Sequence, residues 1–407
     1  MCKMSFFLLI NFTIFSSIAD CQNVIKTMLR LPDTGQNGSF TNTFGEDSDF
    51  NINVPYFNLN GNGTITDTIT GLMWQQTDGG EMTIENATAY CDTLNLAGFN
   101  NWRLPTALEA FSILNLQNAN PALNTAVFTN SLAEYWWTSE RQANDNSKVW
   151  ATNAGGGIGN HPKSETISAG GNKKFHVRAV RDINLPEIIP SRFTDNNNGT
   201  ITDNLTNLVW QKSPISDSLT WEQALIYADT LTFAGINNWR LPNIKELQSI
   251  NDESLINPSI NSDFFSVNTA NKYWSSTSLP NQTAKAWYLN TQFGITTYDN
   301  KTIKHHLICV TNNSQLPTGL SISELKPDIS LFPNPSNEKI DIKFNDEIAH
   351  LMNVEIYNYA NNKVFSNCYV KVKGGFSIET AYFESGKYTI IIKEGNLIIK
   401  KSFLIIH

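Results

Sequence analysis

The stretch AGFNNWRLP at residues 97–105 returns almost unchanged as AGINNWRLP at residues 234–242, which lies 137 residues further along the chain. The motif GTITD likewise occurs at residues 63–67 and again at residues 199–203, and matching tryptophans follow in the same order. A period this long indicates a duplicated domain, because solenoid units repeat at about 20 to 50 residues. The sequence therefore predicts two tandem copies of one domain.

Each copy contains the same succession of local patterns. The GTITD motif followed by an apolar run predicts a hairpin, and apolar residues at helical spacing then predict a helix. A second helix is predicted after Leu-Pro, where Thr106 and Glu109, or Asn243 and Glu246, have the spacing of a capping box. Aromatic segments separated by Asn, Ser and Gly follow and predict strands and long loops. The predicted fold class of both copies is α+β.

Length and charge limit the classes of protein to consider. A chain of 407 residues predicts two to four domains. The net charge is −8, and no basic field of the kind that concentrates nucleic acid is visible. The sequence therefore predicts no nucleic-acid partner.

The N-terminal residues predict export. An apolar run at residues 5–18 is followed by small residues, which is typical of a secretory signal peptide covering residues 1–19. The run is shorter than the roughly 20 residues that cross a bilayer, and we expect no transmembrane segment in the mature chain. The residues before Cys21 also resemble a lipobox, although Asp20 fits that motif poorly.

The common signatures of catalysis and metal binding are missing. The six histidines have no ligand spacing, and no phosphate loop, nucleophile elbow or dinucleotide fingerprint occurs. Asn58, Asn60 and Asn62 have the spacing of a calcium loop but lack its carboxylates, and a hairpin turn accounts for them. The sequence predicts no catalytic residue, no metal and no cofactor.

With these motifs, the chain resembles the family named after the C-terminal domain of the Legionella collagen-like adhesin. The resemblance rests on Leu-Met-Trp at residues 72–74, Trp-Arg-Leu-Pro in both copies, Trp-Ser-Ser at residues 274–276 and the closing segment 177–181. It implies C-type lectin-like domains at residues 20–185, with an extended N-terminus from about residue 31, and at residues 190–312. The named member of the family is an adhesin for sulfated glycans.

Departures from the family pattern concern cysteine. The first copy has Cys91 but Ala179 where the family's closing cysteine stands, whereas the second has Ala228 and Cys309. Each copy thus holds one half of the family's usual disulfide. Cys91 and Cys309 form a bridge between copies or two buried free thiols, and their apolar surroundings favour the thiols. Formylglycine-generating oxidases, which belong to the same lectin-like group, need a cysteine pair and are a distant alternative.

The candidate residues fall into two sets. Aromatic rings stack on sugars and arginines bind anions bidentately, so the candidate glycan-binding residues are Trp137, Trp150, Arg178, Arg181, Trp274 and Trp287. The first copy adds cationic candidates beside a glycine-rich loop (Gly155–Gly157), which are His161, Lys163, Lys173, Lys174 and His176. The predicted structural residues are Trp102, Arg103, Glu109, Trp239, Arg240, Glu246, Cys91 and Cys309.

The C-terminal part differs in composition from the two copies. After a linker at residues 313–326, tryptophan disappears and apolar residues alternate with polar ones, as in half-buried strands. The motif Leu-Phe-Pro-Asn-Pro at residues 331–335 and the terminal apolar segments make residues 327–407 resemble the type A sorting domain of the type IX secretion system. The resemblance implies an all-β Ig-like sandwich, a Bacteroidota-type source, the secretion machinery as a partner, and release or attachment at the cell surface.

Together these features predict an exported, non-catalytic protein of adhesion or carbohydrate binding, whose partner is an extracellular glycan or matrix component. The alternative is a structural surface module without a small ligand.

Overall fold

The computed structural model of the chain describes residues 24–129, 131, 134–153, 155–165, 171–312, 330–343, 351–358, 363–370, 375–394 and 397–407. The predicted signal peptide and linker lie outside these residues. The chain divides into two compact units, residues 1–314 and 315–407. Strands make up 39% and helices 11% of the structure, so the protein is β-rich.

The first copy contains two sheets and two short helices. Its strands and helices are β1 (Val24–Lys26), β2 (Phe57–Leu59), β3 (Thr64–Asp67), β4 (Leu72–Gln75), β5 (Glu81–Met82), α1 (Ile84–Thr93), α2 (Ala107–Ser112), β6 (Tyr135–Gln142), β7 (Asp145–Asn153), β8 (Ile158–Pro162), β9 (Phe175–His176) and β10 (Val180–Asp182). One sheet has the order β10-β4-β3-β2, and the other has the order β5-β9-β6-β7-β8.

The second copy repeats this arrangement with a smaller second sheet. Its strands and helices are β11 (Glu187–Ile189), β12 (Phe193–Asp195), β13 (Thr200–Asp203), β14 (Leu208–Gln211), α3 (Trp221–Thr230), α4 (Ile244–Ser249), β15 (Lys272–Ser278), β16 (Lys285–Asn290), β17 (Ile295–Asn300) and β18 (Val310–Asn312). The sheets have the orders β12-β13-β14-β18 and β15-β16-β17, and β11 pairs with β1.

Asparagine side chains hold the turn before each GTITD strand. Asn62 Oδ1 accepts hydrogen bonds from the backbone and hydroxyl of Thr64, and Asn60 donates to the same hydroxyl. Asn198 and Asn196 make the same contacts with Thr200 in the second copy. These side chains satisfy backbone and hydroxyl groups of the turn, as Asn does in tight turns.

The two copies share one hydrophobic core. Trp74 and Trp150 of the first copy and Trp210 and Trp287 of the second belong to the same buried cluster, and each is at most 2% exposed. A buried tryptophan removes about 150–250 Å² from water, which stabilises the fold by several kcal/mol at about 25 cal/mol per Å². The copies therefore form one body rather than two independent domains.

The glycine-rich loop lies at this contact between the copies. Gly156 has a φ of +95°, and a Cβ there would lie 2.7 Å from Leu116 Cδ2 and 3.3 Å from Trp287 Cζ2. Beyond the loop, the Ile158 amide donates to Thr296 Oγ1 at 2.9 Å. The glycines thus permit close packing between copies, and the prediction that this loop helps to hold a charged ligand receives no support from its position.

The extended N-terminus bridges both copies. Gln36 exchanges hydrogen bonds with the backbone of Ser278 at 2.8 and 2.9 Å, and Lys245 Nζ donates to the Asp33 carbonyl at 2.8 Å. Toward the first copy, the Leu116 amide donates to the Thr34 carbonyl at 2.8 Å. The N-terminal segment is therefore hydrogen-bonded to both copies.

The C-terminal unit is all β in its described residues. Its strands are β19 (Ser330–Phe332), β20 (Lys339–Lys343), β21 (Leu351–Asn358), β22 (Lys363–Val370), β23 (Phe376–Glu379), β24 (Gly386–Glu394) and β25 (Leu397–Ile405). They form sheets of order β19-β20-β23 and β22-β21-β24-β25. Alternate apolar residues, such as Ile340, Ile342, Ile390 and Ile392, fill the core of this unit.

Candidate functional site

The four candidate tryptophans are buried. Trp137 and Trp274 are fully buried, and their indole nitrogens donate to the Met82 carbonyl at 2.9 Å and the Leu219 carbonyl at 3.0 Å. Trp150 and Trp287 lie in the core shared by the copies. Their positions are structural, and the prediction that these rings stack on a sugar receives no support from them.

The two candidate arginines of the closing segment also lie inside the fold. Arg178 donates to the Gln75 carbonyl at 2.9 Å and to Ser131 Oγ at 2.6 Å. Its burial lowers the pKa of its guanidinium to about 10 against the opposing effect of Asp78. Arg181 is 9% exposed, donates to Asn101 Oδ1 at 2.8 Å and covers the ring of Phe99 at 3.9 Å. Both arginines therefore have partners within the chain, and anion binding by them stays an unsupported prediction.

In both copies the arginine of the Trp-Arg-Leu-Pro turn forms an ion pair with the glutamate six residues further on. Arg103 binds Glu109 through two hydrogen bonds of 2.7 and 2.8 Å, and Arg240 binds Glu246 at 2.5 and 2.6 Å. Burial alone would raise the pKa of Glu109, but the Arg103 contacts outweigh it and the pKa is lowered. Each glutamate also completes the capping box of its helix. The pair thus fixes the start of α2 or α4.

Trp102 and Trp239 support the same turn. Both are 3% exposed, and their indole nitrogens donate to the carbonyls of Phe99 at 3.1 Å and Phe233 at 3.2 Å. Their burial anchors the segment that carries the arginine.

Cys91 and Cys309 are buried free thiols in two separate hydrophobic clusters. Burial raises the pKa of the Cys91 thiol to about 12, and burial also raises the pKa of Cys309. A thiol with a raised pKa is not a nucleophile at neutral pH, since the thiolate is the reactive form.

An aromatic patch lies on the second sheet of the first copy and consists of Tyr135, His161 and Phe175. The ring of Tyr135 stacks on Phe175 at 4.8 Å with an interplanar angle of 20°, and His161 packs edge-on against both rings at 5.0 and 5.4 Å. The ammonium of Lys173 lies 5.6 Å above Phe175, and Tyr135 is 38% exposed. Burial and Lys173 lower the pKa of His161. The patch combines an uncovered aromatic ring with a cation.

The cationic candidates of the sequence are distributed around this patch. Lys173 belongs to it, and Lys174 is exposed beside it. Lys163 is paired with Glu85 at 3.3 Å, so part of its charge is neutralised. His176 follows Phe175 but faces the other side of the strand, where it contacts Asp78 at 3.1 Å.

The second copy has a different set of side chains at the corresponding place. Strand pairing identifies the equivalent positions. Lys272, which pairs with Asn290, corresponds to Tyr135, which pairs with Asn153. Asp299, opposite Ala286, corresponds to His161, opposite Val149. His305 occupies the Phe175 position. It is 5% exposed and lies between the rings of Trp274 and Tyr288, with its Nε2 3.5 Å from Asp299. At this place the second copy therefore has a buried histidine where the first copy has the Phe175 ring of the patch.

A cavity of about 410 Å³ lies between the copies, where the β6–β7 hairpin meets the loop after α4. Its lining includes three acids, Glu140, Asp252 and Glu253, and one base, Arg141. Burial and the nearby Glu253 raise the pKa of Glu140 to about 8. Glu140 also accepts a hydrogen bond from the Ala107 amide at the start of α2. The acidic lining disfavours an anionic ligand here.

The comparisons with known proteins match the duplicated body. The model of the Lcl C-terminal domain family matches residues 63–181 and 199–311, together more than half of the chain. The chain belongs to the Lcl C-terminal domain family. This finding confirms the resemblance seen in the sequence, and it makes the body adhesin-like.

The C-terminal unit is matched as well. The model of the secretion system C-terminal sorting domain matches residues 330–406, which confirms the predicted sorting domain. The protein is therefore exported through type IX secretion to the cell surface or outside, and its tail interacts with that machinery.

Other comparisons add little. No curated protein matches the chain. Among solved structures, the crystal structure of dimeric latent PorU from Porphyromonas gingivalis is 11% identical with a TM-score of 0.16, and the match covers 63% of this chain and 26% of that one. A TM-score this low supports no argument about fold or function. Within the part of the chain that the structure describes, no helix is long and apolar enough to cross a membrane.

Proposed function

We propose that this protein is a non-catalytic adhesin whose first copy binds an anionic extracellular glycan at the aromatic patch. The observation that carries the proposal is the uncovered ring of Tyr135, which is held flat by Phe175 and His161 beside the ammonium of Lys173. An aromatic face binds the apolar face of a sugar, and a neighbouring lysine attracts its sulfate or carboxylate.

Pre-organisation of the patch supports this proposal. The phenol ring of Tyr135 is fixed between strand neighbours before any ligand arrives, which reduces the entropy lost on binding. A C-type lectin-like fold of each copy and an Ig-like fold of the tail, which the resemblances imply, would suit a ligand-binding body carried by a sorting domain.

Two other functions are weaker. A structural surface module without a ligand is favoured by the buried tryptophans and the internally paired arginines. A formylglycine-type oxidase would require a pair of reactive cysteines, whereas Cys91 and Cys309 lie in separate clusters with raised pKa values.

The test is binding of heparin, as a sulfated polysaccharide, to the purified chain and to its Tyr135→Ala and Lys173→Ala variants. We expect Tyr135→Ala to weaken binding roughly tenfold, corresponding to loss of about 1.4 kcal/mol of ring contact. Lys173→Ala should weaken binding and reduce its dependence on salt, because screening acts on the charge contact.

Tyr298→Ala is the matched control, since Tyr298 in the second copy is 39% exposed and Tyr135 is 38% exposed. Equal losses in Tyr135→Ala and Tyr298→Ala would contradict a site confined to the first copy. Absence of binding to heparin and to a glycan array would favour the structural module.

A further inference from the structure

Three side chains with metal-binding groups converge at one edge of the second sheet of the first copy. Glu81 in β5 and His176 in β9 are direct partners in the strand pairing, and Trp136 in β6 pairs with His176 in parallel register. Glu134 immediately precedes β6, and its Oε2 lies 3.8 Å from Nε2 of His176. One ligand atom from each of Glu81, Glu134 and His176 lies within 4.8 Å of the others.

The imidazole of His176 is already oriented for a ligand role. Its Nδ1 lies 3.1 Å from Asp78 Oδ2, and its Nε2 is directed at Glu134, 3.8 Å from Oε2. Asp78 is itself held, because its carboxylate accepts a hydrogen bond from Trp136 Nε1 at 3.2 Å and its side chain is 8% exposed. A carboxylate on the far nitrogen is the usual support of a metal-bound histidine, since it fixes the tautomer and the ring orientation.

The charge of the cluster favours a cation. Glu81 and Glu134 make no ion pair with any lysine or arginine among the described residues. Two carboxylates facing one imidazole leave excess negative charge at a partly exposed position, and a divalent cation would neutralise it.

We propose that Glu81, Glu134 and His176 bind a divalent transition-metal ion of the zinc class, with Asp78 as the supporting carboxylate. A ligand set of one imidazole and two carboxylates suits zinc, while calcium prefers oxygen ligands alone. The ion ties β5 and β9, two strands of only two residues each, to the longer β6. Its site lies on the face of the sheet opposite the aromatic patch.

The second copy supplies an internal control. His306 pairs with Tyr273 as His176 pairs with Trp136. However, the strand register sets Asn271 at the position of Glu134, since Lys272 corresponds to Tyr135. An amide gives no negative charge, so the second copy lacks the carboxylate that completes the set.

Isothermal titration of the untagged, metal-free full chain with Zn²⁺ tests the proposal. We expect one saturable site, a rise in Tm on adding Zn²⁺, and at least tenfold weaker binding in His176→Ala and in Glu134→Gln. Asp78→Asn should weaken binding by roughly 10- to 100-fold, as loss of a supporting carboxylate does at other metal sites.

His306→Ala should bind Zn²⁺ like the unaltered chain. Circular dichroism of each variant establishes that it is folded before titration. Zn²⁺ binding that survives His176→Ala, equal losses in His176→Ala and His306→Ala, absence of a saturable site, or tighter binding of Ca²⁺ than of Zn²⁺ would each overturn the proposal.

Discussion

The two copies contain the same ion pair in different surroundings. The side chain of Arg103 in the first copy is 31% exposed, whereas that of Arg240 in the second is 6% exposed. The difference comes from the N-terminal segment, whose Phe50 ring lies 5.5 Å from the Arg240 guanidinium. Duplication has thus repeated the scaffold, while the segment outside the repeat covers only one of its two copies at this point.

The cover over the second copy also brings buried acids. Burial and the neighbouring Asp33 raise the pKa of the Asp47 carboxyl to about 8, so this side chain is mostly protonated at neutral pH. It accepts a hydrogen bond from Thr277 at 2.5 Å. The corresponding sheet of the first copy carries the aromatic patch and the proposed metal site.

Removing the arginine of each pair should separate the two copies most clearly. We expect Arg240→Ala to lower the free energy of unfolding by about 3–5 kcal/mol, because it leaves Glu246 charged and buried. Arg103→Ala also leaves a buried carboxylate, that of Glu109, but because the side chain of Arg103 is 31% exposed, water can take its place, and we expect a smaller cost of about 1–3 kcal/mol. Denaturation followed by tryptophan fluorescence reports on the body alone, because all ten tryptophans lie between residues 74 and 287. Equal costs would show that the N-terminal cover contributes nothing.

The packing between copies can be broken at Gly156. Gly156→Val should cost about 2–4 kcal/mol, since the new side chain meets Leu116 and Trp287 and the backbone has a positive φ. Gly98→Val is the matched control with a φ of +81° and open space around its Cβ position, and it should cost about 1–2 kcal/mol. If both variants unfold at the same denaturant concentration, the copies do not depend on this contact.

Local features of the body could be predicted from sequence, but their assembly could not. The pairs Arg103–Glu109 and Arg240–Glu246 follow from a six-residue spacing and a capping box, which are properties of one helix start. The sharing of one core by both copies depends on contacts between residues such as Gly156 and Trp287, more than a hundred positions apart. No periodicity in the sequence records such a contact.

The aromatic patch was likewise only partly predictable from the sequence. His161 and Lys173 were predictable as cationic candidates, whereas Tyr135 and Phe175 were missed because they meet only through the pairing of β6 and β9. The tryptophans gave a misleading signal, since an indole suits a sugar-binding surface and a core equally well. Only the fold distinguishes these two uses of an aromatic ring.

A smaller difference between the copies concerns the side chain of the sheet that accepts a hydrogen bond from the first amide of the second helix. Glu140 accepts the Ala107 amide in the first copy, and the uncharged Thr277 accepts the Ile244 amide in the second. Because the folded pKa of Glu140 is about 8 against 4.5 in the unfolded chain, the folded state binds more protons between these values and stability falls as pH rises. Glu140→Gln should therefore raise Tm by about 2–4 °C at pH 8 and change it little at pH 4.5.

Thermal unfolding at both pH values checks this expectation, with Glu187→Gln, on an exposed strand residue, as the control. An equal rise in Tm at pH 4.5 would show that the charge of Glu140 is not what destabilises the folded state.

The smallest expected effect concerns the two cysteines, which occupy different positions in the equivalent cores of the two copies. Cys91 lies in the cluster that contains Ala179, and Cys309 lies in the cluster that contains Ala228. Each thiol packs as a small apolar group, so Cys91→Ala and Cys309→Ala should each cost about 0.5–1.5 kcal/mol, with additive effects in the double variant because the sites are separate. Denaturation with and without reductant provides the measurement. A cost that disappears when reductant is present would reveal a bridge between the copies, whereas identical costs in both conditions are expected of two buried free thiols.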